Sequence, residues 1–190
     1  MLPIPFTEEA VRYTSDRIRQ VQDRLGTPLV LENGSYYLQA HKEMAEEEFI
    51  NAIIADSGCE MLLDVNNVYV NSINHRYDPI EFIDSLPLES VRYMHVAGHF
   101  DEAEDLKVDT HGTDVIEAVW ALLDETYKRV GPVPTLLERD FNFPELSSLL
   151  AEVQRIRDAQ AHSHAHEKDL TTGIAKPVIE PASTAAAVPL

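Results

Sequence analysis

Four apolar runs in this 190-residue sequence each reach a residue that can bind a metal or carry a proton. They are 28-PLVLEN-33, 60-EMLLDVNN-67, 91-VRYMHVA-97 and 134-PTLLERD-140, and they deliver Glu32, Asp64, His95 and Glu138. A fifth signal, 108-VDTHG-112, adds Asp109 and His111. Any one of these has an ordinary reading, as a buried acid paired with an arginine or a core histidine with its hydrogen bonds met. Recurrence at every strand end points elsewhere. In parallel α/β folds, active sites assemble at the C-terminal edge of the sheet. Carboxylates and neutral imidazoles converging there form a donor set for Fe, Mn or Zn. More than four such donors imply two or more ions, with one carboxylate bridging.

Other polar residues flank these. Asn33, Asn66 and Asn67 adjoin the acids, and Asp64-Val-Asn-Asn also reads as a hydrogen-bonded turn. His75 and His99 sit beyond strand ends, as ligands, partners of ligands or substrate contacts. His41 reads as a surface residue, and HSHAHE near the C-terminus as a solvated run without fixed geometry.

The elements that must position these groups alternate. Thr7 before Glu8 and Glu9 marks a helix start, Val11, Ile18, Val21 and Leu25 its apolar face, and Gly26 its stop. Further helices are predicted over 44–57, 79–86, 114–130 and 144 to about 158. Residues 98–112 read as a loop long enough to be functional. Strict alternation with near-continuous apolar strands predicts a parallel sheet covered by helices, in an open doubly wound sheet or a (β/α)8 barrel. GTPLVLENG is not the Gly-rich phosphate loop of nucleotide-binding open sheets.

Composition narrows the function classes. Against 33 acidic residues stand 15 basic ones, for a net charge of −18. Such a surface suits cations and disfavours nucleic acid, whose phosphates need a positive field. The single Cys59 excludes an intramolecular disulfide, which fits a reducing compartment. No run approaches the ~20 apolar residues of a membrane span, and MLPIPFTEEA lacks the features of a signal peptide, so the cytoplasm is expected. From Ala161 onward the sequence is rich in small residues and proline, and residues 161–190 are expected to form a disordered tail on a folded domain of residues 1–160.

The segments LPIPFTEEAV, LVLENGSYYL, LLDVNNVYVNSINH, MHVAGH, VDTHG and PTLLERD resemble the multinuclear non-haem iron-dependent oxidases. The methanobactin-biosynthesis oxidase is the best-known type. The resemblance runs in order over residues 2–158. It implies an α/β fold, a (β/α)8 TIM barrel of the xylose-isomerase-like kind. It implies that Glu32 is a metal-bridging glutamate and that Asp64, His95, Asp109, His111 and Glu138 are ligands. Asn67 stands where a related DNA-repair endonuclease has a histidine. One departure is Arg139, where an aromatic residue is expected at the pocket wall. The implied cofactor is two or three iron ions of mixed valence, with Zn or Mn as alternatives. The implied substrate is a side chain, often a cysteine, of a ribosomally made precursor peptide presented by a small partner protein.

A complete barrel needs roughly 250 residues. The four strands here look like the last four, and the first four of the family carry further histidine ligands. Either the chain begins in mid-protein, or a half barrel is completed by another copy or another polypeptide. Two other functions are expected alternatives. One is a metal-dependent isomerase or hydrolase on the same barrel, where a sugar isomerase should bring a lysine such as Lys42 or Lys107 near the metals. The other is an inactive half-barrel remnant or interaction module.

Overall fold

The computed structural model describes residues 4–39 and 41–172. The elements are α1 Glu8–Leu25, β1 Val30–Glu32, α2 Glu46–Ser57, β2 Glu60–Asp64, α3 Val65–His75, α4 Pro79–Ser85, a 3₁₀ turn Leu88–Ser90, β3 Val91–Ala97, β4 Phe100–Ala103, β5 Leu106–Val108, α5 Glu117–Val130, β6 Thr135–Glu138 and α6 Leu146–Thr172. Local chemistry sets several boundaries. Thr7 Oγ1 accepts from the Ala10 N–H at 3.2 Å and caps α1. Gly26 and Gly58 take the left-handed conformation that ends α1 and α2.

Strands β1, β2, β3 and β6 form one parallel sheet in that order. The order never reverses. Right-handed crossovers then place every connecting helix on the same face. Side-chain alternation sorts the strand residues between the two faces. Met61, Leu63, Met94 and Val96 join Val119, Leu123 and Tyr127 of α5 in one buried cluster. Burying each such side chain stabilises the fold by about 1.5–3 kcal/mol. Leu62, Asp64, Tyr93, His95, Leu136 and Glu138 alternate onto the other face, with Asp64 level with His95 and Glu138 level with Ala97.

Three stretches depart from the sequence expectation. Strand β2 stops at Asp64 rather than running to Asn67. Asp64 Oδ1 accepts from the Asn67 N–H at 2.6 Å, which caps α3 and turns the chain into a helix. The loop 98–112 contains the antiparallel pair β4–β5. It is pinned to α3, where the Asn74 side chain accepts from Lys107 N at 2.8 Å and donates to Lys107 O at 2.9 Å. Helix α6 continues to Thr172, past the expected end near 158 and into the segment read as tail. The rest of that tail, residues 173–190, lies outside the described residues.

β1 and β6 are the outer strands of the sheet. Beside β6, Leu136, Phe143, Leu146 and Leu150 are all more than half exposed. Among the described residues, no helix is long and apolar enough to cross a membrane.

Candidate metal centre

Asp64 is the most buried acid of the site, fully enclosed at the end of β2. Asn33 holds it from the neighbouring strand end. The Asn33 amide donates to Asp64 O at 3.0 Å and accepts from Asp64 N at 2.8 Å. Asn67 closes the corner by donating to Asn33 O at 2.9 Å. These bonds engage the backbone of Asp64 and its Oδ1. They leave Oδ2 buried with no hydrogen-bond partner.

The free oxygen faces three other strand ends. His95 Nδ1 lies 3.8 Å from Asp64 Oδ2, 3.5 Å from Glu32 Oε1 and 3.0 Å from Glu138 Oε2. One donor atom from each of these four residues falls within a 4.8 Å sphere of mutual separation. None of those His95 contacts is aligned as a hydrogen bond, and His95 Nδ1 and Glu138 Oε2 are buried and unpartnered. Atoms that approach a common point without bonding one another have the arrangement of ligands around a cation.

A second group adjoins the first. His111, Glu138 and Asp140 also bring donor atoms within 4.8 Å of one another. His111 Nδ1 is 3.5 Å from Glu138 Oε2 and 3.4 Å from Asp140 Oδ2. Glu138 belongs to both groups, whereas Glu32, the residue expected to bridge, belongs to the first alone. His111 adopts a left-handed backbone, φ 51°, and its carbonyl accepts from Asp140 N at 2.9 Å. That strained turn carries the ring back over the end of β6.

Asp109 falls behind His111 rather than among these donors. Its Oδ1 lies 2.7 Å from His111 Nε2 and accepts from Asn66 Nδ2 at 2.9 Å. Its Oδ2 accepts from Ser35 Oγ at 2.8 Å. That His111 contact is close but not aligned as a hydrogen bond, so His111 Nε2, like Nδ1, is buried without a partner. His99 stands one step further out, with Nδ1 2.8 Å from Asn66 Oδ1.

Electrostatics reflect the crowding of buried acids around two imidazoles. Burial, reinforced by Glu32 and Asp109, pushes the Asp64 carboxyl up to about 7, against the pull of the Asn67 N–H. The Asp109 contact lifts His111 to about 9. Glu32, ahead of Glu138 and Asp64, raises His95 despite partial burial. Burial opposes ionisation of Asp109, yet His111, Ser35 and Asn66 together hold it below the ordinary carboxylate value. Protons held by Asp64 and His111 are what a bound metal would displace. The donor set, oxygen and imidazole with buried unpartnered atoms, fits Fe, Mn or Zn.

A family model described as RiPP precursor modification enzyme MbnB/TglH/ChrH matches residues 1–161. The chain belongs to this family. Similar relatives include a UPF0276 protein of Alcanivorax borkumensis, 58% identical over 161 residues that make up 82% of this chain and 54% of the relative. A UPF0276 protein of Shewanella amazonensis is 53% identical, covering 85% of this chain and 58% of its own length. One from Nitrosospira multiformis is 54% identical, with 89% and 60% covered. This MbnB/TglH/ChrH family member therefore spans a little over half the length of these curated relatives.

The remaining expected residues lie outside the two groups. His75 stacks on Tyr36, ring centroids 4.1 Å apart, and its Nε2 lies 2.8 Å from Tyr36 O. Arg139 follows Glu138, so it alternates away from the face that carries Asp64, His95 and Glu138. It pairs with Asp114 at 2.8 Å and Glu152 at 3.2 Å instead of walling the pocket. Asp140 is the residue the sequence reading passed over. Its signal was present, because positions 138 and 140 of an extended run share a face.

Proposed function

We propose that this chain carries the metal-binding part of an iron-dependent oxidase that modifies a side chain of a ribosomally made precursor peptide. The convergence of Glu32, Asp64, His95 and Glu138, with Glu138 shared by His111 and Asp140, supports the reading most strongly. In it, Glu32, Asp64, His95 and Glu138 hold one iron and Glu138, His111 and Asp140 a second. Bound iron supplies oxidation by O2, and a substrate cysteine suits the site because its thiolate is itself an iron ligand. The chain's residues do the rest. Asn33 and Asn67 fix the Asp64 corner, Asp109 orients His111, and the side of the sheet free of crossover helices admits the peptide.

The sheet is read here as part of an eight-stranded barrel. An unreversed parallel order, exposed apolar residues beside β6 and relatives of which the chain covers little more than half all support this. Whether the remaining strands come from the same polypeptide, another one or a second copy, they would close the site. A small peptide-presenting partner and a cytoplasmic setting belong to the same proposal. The isomerase alternative loses support because Lys107 Nζ pairs with Asp101 at 2.8 Å and Lys42 lines a separate groove with Glu46 and Glu81.

Elemental analysis of anaerobically purified chain tests the proposal. We expect at least two metal ions per chain, mainly iron. Absence of any transition metal, before and after reconstitution with ferrous iron, would refute it for this chain.

A further inference from the structure

We infer that His99 is a positioning residue that fixes Asp109, whose Oδ1 lies 2.7 Å from His111 Nε2, by locking the side-chain amide of Asn66. The inference rests on the metal-centre reading for its functional consequence, but its chemistry stands on the hydrogen bonds alone. Asp109 Oδ1 is a carboxylate oxygen and can only accept. The Asn66 atom 2.9 Å from it must therefore be the amide nitrogen. That leaves the Asn66 oxygen facing His99 Nδ1 at 2.8 Å. An amide oxygen also only accepts, so His99 Nδ1 must carry the proton. One carboxylate thus dictates the orientation of an amide and the tautomer of an imidazole two bonds away.

The surroundings make the arrangement rigid. Asn66 is fully buried in the first turn of α3, and His99 is 4% exposed just beyond β3. Water does not compete for either amide end. Tyr69 lies against the His99 ring at 5.2 Å between centroids. Thr113 Oγ1 donates to His99 O at 2.9 Å. Gly98 allows this close passage, since a Cβ there would lie 2.1 Å from Thr113 O. On the far side, His99 Nε2 faces Asp101 Oδ1 at 3.6 Å, and Lys107 neutralises that carboxylate from 2.8 Å.

Without the His99 donor, the Asn66 amide is free to turn its oxygen toward Asp109. Two acceptors would then meet in a buried site. Asp109 would keep Ser35 as its aligned side-chain donor and lose the Asn66 bond that holds Oδ1 beside His111.

The test uses the full 190-residue chain, labelled with nitrogen-15 and free of metal. A two-bond proton–nitrogen correlation spectrum at neutral pH should show His99 protonated at Nδ1. A neutral ring protonated only at Nε2, the form favoured in water, would overturn the inference whatever the fate of the metal reading. Zinc ion titrated alone into wild type and variants gives the functional arm. His99→Leu should weaken zinc binding about tenfold. His99→Asn, which offers an amide N–H at nearly the same place, should stay within about threefold of wild type. In an Asn66→Ala background, His99→Leu should cause no further loss. An equal loss in both backgrounds, or equal losses for Leu and Asn, would overturn the inference. A wild-type chain that binds no zinc would count against the metal reading, and the tautomer alone would then decide.

Discussion

The two faces of the parallel sheet are built on opposite terms. Toward the helices, Met61, Leu63, Met94 and Val96 are at most 1% exposed and sit in one apolar cluster. On the other, Asp64, His95 and Glu138 bring ionisable atoms together and leave several buried without partners. Both sets alternate along the same strands, so one backbone serves both. The first face stabilises the fold. The second costs stability, because like charges are desolvated side by side. On the proposed reading a cation reconciles the two, and removing it should destabilise one face only.

The largest effect belongs to the apolar face. Leu63→Ala should cost about 2–5 kcal/mol in urea unfolding, with or without metal. A cost much below that range would mean the helix-facing cluster is not the stabilising layer. Metal should act on the other face. Zinc or ferrous iron at 100 times its dissociation constant should add about 2.7 kcal/mol of stability, removable by chelator. A melting temperature indifferent to metal and chelator would break the contrast.

A smaller effect is the pH dependence of the metal-free chain. Asp64, raised to about 7, and His111, raised to about 9, bind protons more tightly folded than unfolded. Stability should therefore fall with rising pH, from about 4 to 7 as Asp64 ionises and from about 6.5 to 9 as His111 loses its proton. Glu46, pushed to about 7 chiefly by burial, adds to the first window. Asp64→Asn should flatten part of that window and abolish metal retention while keeping the oxygen that caps α3. An unchanged slope in this variant would assign the loss of stability with rising pH elsewhere. The smallest effect is expected at His41, whose exposed ring lies 3.6 Å from Glu43. His41→Ala should leave metal content unchanged and shift stability by less than about 0.5 kcal/mol.

Much of this was legible in the residues. The runs ending at Glu32, Asp64, His95 and Glu138 are apolar and bounded by turn formers, which is local information, and they form the four parallel strands. Helix α3 was missed although Val65, Val68, Tyr69 and Ser72 have helical spacing, because asparagines with low helix propensity lie between them. What overrode propensity was the Asp64 cap on Asn67 and burial of Val65 and Val68. The β4–β5 pair was read as loop because its four-residue strand is exposed throughout and carries no alternation.

By itself, then, the sequence determined which apolar runs become strands and which carboxylates and imidazole they carry, since hydrophobic period and capping act over a few residues. Only the tertiary structure decided which of them meet. Glu138 came to be shared, Asp140 joined it, Asp109 fell behind His111, and His75 turned to Tyr36. Those outcomes depend on strand register and on the paths of loops, which bring His95 to Glu138 and Asn66 to Asp109 from dozens of residues apart, and no local pattern encodes that distance.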